Sequence, residues 1–241
     1  MGKHRISLGR RGVAALAAAG ALVIGGTTAS MMGTGTAAPL DILAVSSPTN
    51  TIVLPDLAPF KAADDRGTGK GEVSDEVGAP TGGGKAAFRL STPTGDDKAS
   101  YSAEVSATAA KPLAAWIPTA AYSAFKIAGG AANQFPSLQL VVDFNGTAEG
   151  GFSTLTYEPV YNPDTDSLEA GQWNRYAAGT GNWCSTRAIP GVITDAEKQC
   201  SNGGAKPLSD YVAGAPDIVV NNVVINQGLS LIHISEPTRP Y

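Results

Sequence analysis

A chain of 241 residues, 43% apolar and 16% charged, is long enough for one domain with a proper core. Its formal charge is −4, from 17 basic and 21 acidic residues. That balance argues against nucleic acid and against an anionic membrane surface as partners.

The chain opens with Lys3, Arg5, Arg10 and Arg11, a basic stretch ahead of an apolar run over 13–24 that is short for a membrane span. Small residues follow, with cleavage positions after Ser30, Ala37 or Ala38. The pattern predicts a secretory signal peptide over 1–38, with a membrane anchor as the competing reading. Arg10-Arg11-Gly12-Val13 matches a twin-arginine signal weakly, because Ala14 is a poor second hydrophobe, so the export route stays open. No later apolar run is long enough to cross a bilayer. The expected location is secreted or extracellular, with association at the cell surface as an extension of it.

Residues 39–84 read as a flexible leader. Thr51-Ile52-Val53-Leu54, with Leu57, is a candidate first strand. Asp64-Asp65-Arg66-Gly67 and Gly82-Gly83-Gly84 enclose little that could bury enough surface to offset the entropy of ordering.

From Lys85 the pattern turns to strands. Ala87–Ser91 is the first, followed by the turn-rich Thr92-Pro93-Thr94-Gly95-Asp96-Asp97. Over 100–107, Tyr101, Ala103, Val105 and Ala107 alternate with Ser100, Ser102, Glu104 and Ser106, the period of a half-buried strand. A strand over 122–127 ends at Gly129-Gly130. Leu138, Leu140, Val142 and Phe144 alternate with Gln139, Val141 and Asp143. Asn145-Gly146 then turns the chain back into a Thr-rich strand over 152–157, an antiparallel hairpin. One short helix is expected over 208–212, and a last strand over 218–225. Strands between turn signals, with almost no helical period, predict an all-β antiparallel β-sandwich over 85–228, jelly-roll-like.

The last thirteen residues, 229–241, stand apart. Leu229-Ser230-Leu231-Ile232-His233-Ile234-Ser235-Glu236-Pro237-Thr238-Arg239 resembles the translation of a transposase-type sequencing adapter. Read as a non-native tail, it predicts that the sandwich is C-terminally truncated near Gly228. With the signal and the tail set aside, four basic residues leave with the first and one with the second, and Glu236 is the one acid lost. Twelve basic residues then face twenty acidic ones, a net of −8. Both histidines, His4 and His233, leave as well.

Two cysteines remain. Export places Cys184 and Cys200 in oxidising surroundings, where a disulfide is the default. A zinc site lacks further ligands, and a thiol nucleophile lacks an imidazole base.

Leu90-Ser91-Thr92-Pro93-Thr94-Gly95-Asp96-Asp97, Val142-Asp143-Phe144-Asn145-Gly146 and Ser153-Thr154-Leu155-Thr156-Tyr157-Glu158-Pro159-Val160-Tyr161 resemble a set of secreted bacterial β-sandwich modules. Trp173, Trp183, Pro207-Leu208 and Pro216-Asp217-Ile218 extend the likeness over most of 85–228. The resemblance implies a jelly-roll or concanavalin-type sandwich of unassigned function, and it carries no catalytic residue.

Four kinds of chemistry have candidates. A glycoside hydrolase needs two facing carboxylates, and Glu158 with Asp143 or Glu149 are the acids available. A Ser–His–acid site has no imidazole to draw on. Asp164 and Asp166, near Asn162 and Glu169, form a weak calcium candidate in an oxygen-rich loop; a polar turn is the plainer reading, and no other cofactor is expected. Tyr161, Trp173, Tyr176 and Trp183 lie close together among polar neighbours, which suits stacking against a glycan or cell-wall polymer. The competing reading puts at least one tryptophan in the core beside the Cys184–Cys200 loop. The expected function is therefore a secreted, non-catalytic extracellular or cell-surface module, a glycan binder. A carbohydrate-active hydrolase and a purely structural surface domain are the alternatives. Oligomeric state is left open by the sequence.

Overall fold

A computed structural model of the chain describes residues 14–17, as backbone, together with 59–81, 83–105, 112–128, 132, 134–146, 149–163 and 166–228. In chain order the strands are β1 (Ala14–Ala17), β2 (Lys61–Ala62), β3 (Lys70–Ser74), β4 (Ala87–Ser91), β5 (Lys98–Glu104), β6 (Tyr122–Lys126), β7 (Ser137–Asp143) and β8 (Phe152–Tyr157). They continue with β9 (Trp173–Tyr176), β10 (Asn182–Ser185), β11 (Lys206–Pro207) and β12 (Val219–Gly228), and a single α-helix among the described residues, α1 (Leu208–Gly214), stands between the last two.

The strands form an all-β, antiparallel sandwich. One sheet has the order β3-β4-β1-β6-β9 and the other β11-β10-β8-β7-β12-β5-β2. Period two explains the packing. Phe88, Leu90, Tyr122, Ala124 and Tyr176 face inward from the first sheet, and Tyr101, Leu138, Leu140, Val142, Leu155, Tyr157 and Ile225 from the second, in one continuous core. Edge-on ring contacts cross the interface, Phe88 with Tyr101 at 4.7 Å and Tyr122 with Tyr157 at 6.1 Å. No helix of the described residues is long and apolar enough to cross a membrane.

Six of the expected strands are β4 and β8, with the expected bounds, and β5, β6, β7 and β12, with shifted ends; the expected helical turn is α1. The hairpin of β7 and β8 runs from Leu138 opposite Tyr157 to Asp143 opposite Phe152. In β12 the ladder to β7 slips by one residue between Val220 and Asn222, so that both Val220 and Val223 lie on the core side. The extra carbonyl, on Asn221, accepts the Val105 N–H at 2.8 Å. The candidate strand at 51–57 and the tail 229–241 lie outside the described residues.

One expectation needs correction. The leader is folded from residue 59 onward. Its polar residues are ordered by hydrogen bonds rather than by burial: Arg66 and Lys98 exchange both backbone bonds, and Asp65 accepts the Ser100 N–H at 2.9 Å. Asp64 holds the buried Lys98 ammonium at 2.6 Å and Arg66 at 2.9 Å. β3 then pairs along β4, where Gly71 lets Tyr101 close in. A Cβ there would lie 2.5 Å from both the Phe88 and Tyr101 rings, and the Tyr101 hydroxyl accepts the Gly71 N–H instead. Residues 14–17 fall within the stretch expected to be a signal, and they occupy the centre of the five-stranded sheet.

Asp97 fastens the folded leader to the β4–β5 turn. Its carboxylate accepts the Thr68 N–H at 2.7 Å, the Thr68 hydroxyl at 3.0 Å and the Thr94 N–H. The Thr68 backbone bond is the main reason its pKa sits below the ordinary 3.8, and the Thr94 bonds add to it. A depressed folded pKa contributes stability that is complete above 3.8 and is lost as pH falls through the lower folded value. Asp97→Asn is therefore expected to lower the urea midpoint at pH 7 and to flatten its decline on acidification below pH 4. Parallel urea curves for the two proteins across that range would contradict this role.

Candidate binding face

The outer face of the seven-stranded sheet is polar by the same alternation that makes its inner face apolar. Since Leu138, Leu140 and Val142 point into the core, Ser137, Gln139, Val141 and Asp143 point away from it. Register extends the pattern sideways. One row runs Cys184, Thr156, Gln139, Val224, Ser102, and the next contains Ser137, Asn226 and Ser100. The hydroxyls and amides in these rows can both donate and accept hydrogen bonds, and Lys61 closes the first row beside Ser102.

These outward side chains are shielded from solvent. Gln139, Thr156 and Asn226 are each 2% exposed. Gln139 Nε2 donates to Ser137 Oγ at 3.3 Å, and Ser137 Oγ donates to the Asn226 carbonyl at 3.4 Å. Thr156 Oγ1 and Asn226 Oδ1 have no partner. A buried polar atom left unanswered costs on the order of 1–3 kcal/mol.

The Cys184–Cys200 disulfide forms, across a sequence separation of 16. Cys184 lies beside Thr156, on the outward side, and Tyr161 and Ala205 pack on the bridge. Glu158 continues β8 in extended conformation one residue past the inward Tyr157, which turns it to the same outer face. Tyr161 is half-buried there; burial, and then the neighbouring Glu158 charge, push its phenol above its ordinary value. Asn162 braces this end of the sheet. Its Nδ2 donates to the Glu158 and Asn182 carbonyls at 3.1 and 3.2 Å, while its Oδ1 accepts the Asn182 N–H at 2.7 Å.

The sequence candidates are thereby separated. Asp143 stands at the far end of the β7–β8 hairpin, opposite Phe152. From there to Glu158 is six residues of strand, about 20 Å at the usual rise, well beyond the ~5–9.5 Å between the two acids of a glycosidase. Asp143 accepts the Asn145 and Gly146 N–H groups at 3.1 and 3.0 Å, as a turn residue does. Glu149 is in the same turn, beyond Asp143, so neither acid joins Glu158.

The aromatic cluster divides as well. Trp183 and Tyr176 are wholly buried in the core. Trp183 Nε1 donates to the Ala178 carbonyl at 2.7 Å, and the Tyr176 hydroxyl donates to the Ser167 carbonyl at 2.9 Å. Trp183 faces inward while the adjacent Cys184 faces outward, so ring and disulfide are on opposite sides of β10. Trp173 is half-buried on the outer face of the other sheet, edge-on to Phe125 at 5.5 Å. Of the four aromatics, Tyr161 alone borders the polar rows.

Asp164 lies outside the described residues. Asp166 accepts the Tyr157 hydroxyl in a short hydrogen bond, and burial followed by that bond raises the Tyr157 phenol far above its usual range. Among the described residues no group of three or more His, Cys, Asp or Glu gathers as a metal site would require.

Sequence reasoning did not single out Thr156, Asn226 or Gln139. Gln139 was visible as the polar partner of an alternating strand; its depth was not, because alternation assigns a face and says nothing about shielding. No family model, curated protein or solved structure matches the chain.

Proposed function

We propose that this chain is an exported, non-catalytic surface module that takes glycan on the polar outer face of its seven-stranded sheet, at the end bordered by Tyr161. The observation that carries the reading is the set of uncharged Ser, Thr, Gln and Asn side chains that register aligns on that face, with the half-buried Tyr161 at its rim. Sugar hydroxyls donate as readily as they accept, and a neutral ladder of Ser, Thr, Gln and Asn suits them without the desolvation cost of charge. Tyr161 adds an apolar ring face at the rim. The likeness to secreted sandwich modules and the wide separation of the carboxylates favour binding over hydrolysis.

A purely structural role is the second reading, favoured by the shielding of the same face. A glycan array probed with Thr156→Val, Gln139→Ala and Tyr161→Ala separates the two. Under the binding reading, the unsubstituted protein retains a defined glycan class without turning it over. Gln139→Ala and Tyr161→Ala each weaken that retention by at least about tenfold, the equivalent of one lost hydrogen bond or ring contact. Under the structural reading no glycan is retained, and Thr156→Val raises stability by about 1 kcal/mol because it removes a buried hydroxyl that had no partner.

A further inference from the structure

β4 and β6 are not neighbours in their sheet; both pair with β1, which lies between them. Ala14, Ala15 and Leu16 stand opposite Leu90, Arg89 and Phe88 on one side, and opposite Lys126, Phe125 and Ala124 on the other, antiparallel in both cases. The two flanking strands are therefore two spacings apart, about 9.6 Å, which admits one strand and no more. Both turn apolar side chains to the core, Phe88 and Leu90 from β4, Tyr122 and Ala124 from β6.

β1 belongs to the stretch that the sequence assigns to a cleaved signal. Cleavage after Ser30, Ala37 or Ala38 would remove a central strand and leave two bare strand edges facing each other across a gap. On the reading of the chain as an exported protein, we propose that this gap is a strand-acceptor slot. Ala14–Ala17 fills it in the precursor. In the processed protein an extended segment of small apolar residues, donated by a partner chain and antiparallel to both β4 and β6, takes its place.

The occupant's chemistry follows from what the slot now holds. Three alanines and one leucine fill it, and Leu16 is in register with the core-facing Phe88 and Ala124. Phe88 and Ala124, which flank that register position, both face the core. Strand addition normally gains one ladder of main-chain hydrogen bonds; a strand inserted here gains two, because both of its edges are paired.

The test uses the full chain expressed with export, the processed form recovered, and its N-terminus fixed by mass spectrometry. A synthetic peptide of residues 12–20, flanked by lysines for solubility, is then titrated in. The expected result is one-to-one binding, a rise in melting temperature and slowed amide exchange at 87–91 and 122–126. The same peptide with Leu16→Asp should bind at least tenfold more weakly, and the unprocessed chain should not bind because its slot is filled. A processed protein that ignores the peptide overturns the proposal, whether its edges prove already protected by another closure of the gap or remain open. A mature protein that keeps residues 14–17 overturns the export reading itself, and the mass reports this before any peptide is added.

Discussion

Trp183→Ala is expected to destabilise the domain by about 3–5 kcal/mol, the usual cost of deleting a buried aromatic. That is a large share of the ~5–15 kcal/mol that holds a typical domain folded. The size of the effect comes from three contacts that the ring and its backbone hold together. The indole is fully buried with its centroid 5.5 Å from that of Tyr157. Its N–H satisfies the Ala178 carbonyl, which would be left unpaired. The Trp183 carbonyl in turn accepts the hydroxyl of Tyr211, a buried residue of α1, at 2.8 Å, so a shift of this backbone loosens the helix as well. Trp183→Phe keeps part of the packing and loses only the indole bond, and should cost about 1–3 kcal/mol. Urea denaturation of the two variants checks both the size and the order. Equal midpoints for Trp183→Ala and the parent protein would mean that the ring is not a core element.

Breaking the Cys184–Cys200 bridge, by reduction or by Cys200→Ser, is expected to cost about 3 kcal/mol on the chain-entropy model for a loop of this length. The loss should concentrate locally. β10 joins β8 through two register pairs only, Cys184 with Thr156 and Ser185 with Leu155, and the disulfide is the covalent tie that returns the segment after β10 to the sheet. Amide exchange over 186–204 should quicken in the reduced protein while β7 and β12 stay protected. Unchanged exchange in that segment, together with an unchanged urea midpoint, would show that its hydrogen bonds suffice without the bridge.

How much of this was legible in the sequence depends on strand length and on what does the burying. β7 was visible because Leu138, Leu140 and Val142 repeat at period two over a full strand. β9 and β10 were not, because each is four residues long and flanked by glycine, and their polar residues mask the period. Asn174, for example, points into the interior and is satisfied by the Glu169 carbonyl at 2.8 Å, a contact no hydropathy pattern reports. β3 was invisible for a related reason: its fit depends on Gly71 having no side chain. The aromatic cluster was open to a surface reading because its neighbours are polar, and the reading that put at least one tryptophan in the core holds for Trp183. In the fold, alternate residues of β9 and β10 send Tyr176 and Trp183 inward and leave their polar neighbours outside. The carboxylates failed as a pair for a reason only register could reveal, since Asp143 and Glu158 lie at opposite ends of one hairpin.

The single-residue slip in β12 has a further bearing on how the last strand tolerates change. Asn221 acts as a phase joint. The stretch before it and the stretch after it each meet the core with their own alternation, so the pairing of Val223 and Ile225 with β5 and β7 does not dictate the side on which Ile218 and Val220 fall. An insertion or deletion at this joint would rotate the shorter stretch alone and leave the longer ladder seated, so the two halves of β12 are free to vary in sequence as separate units.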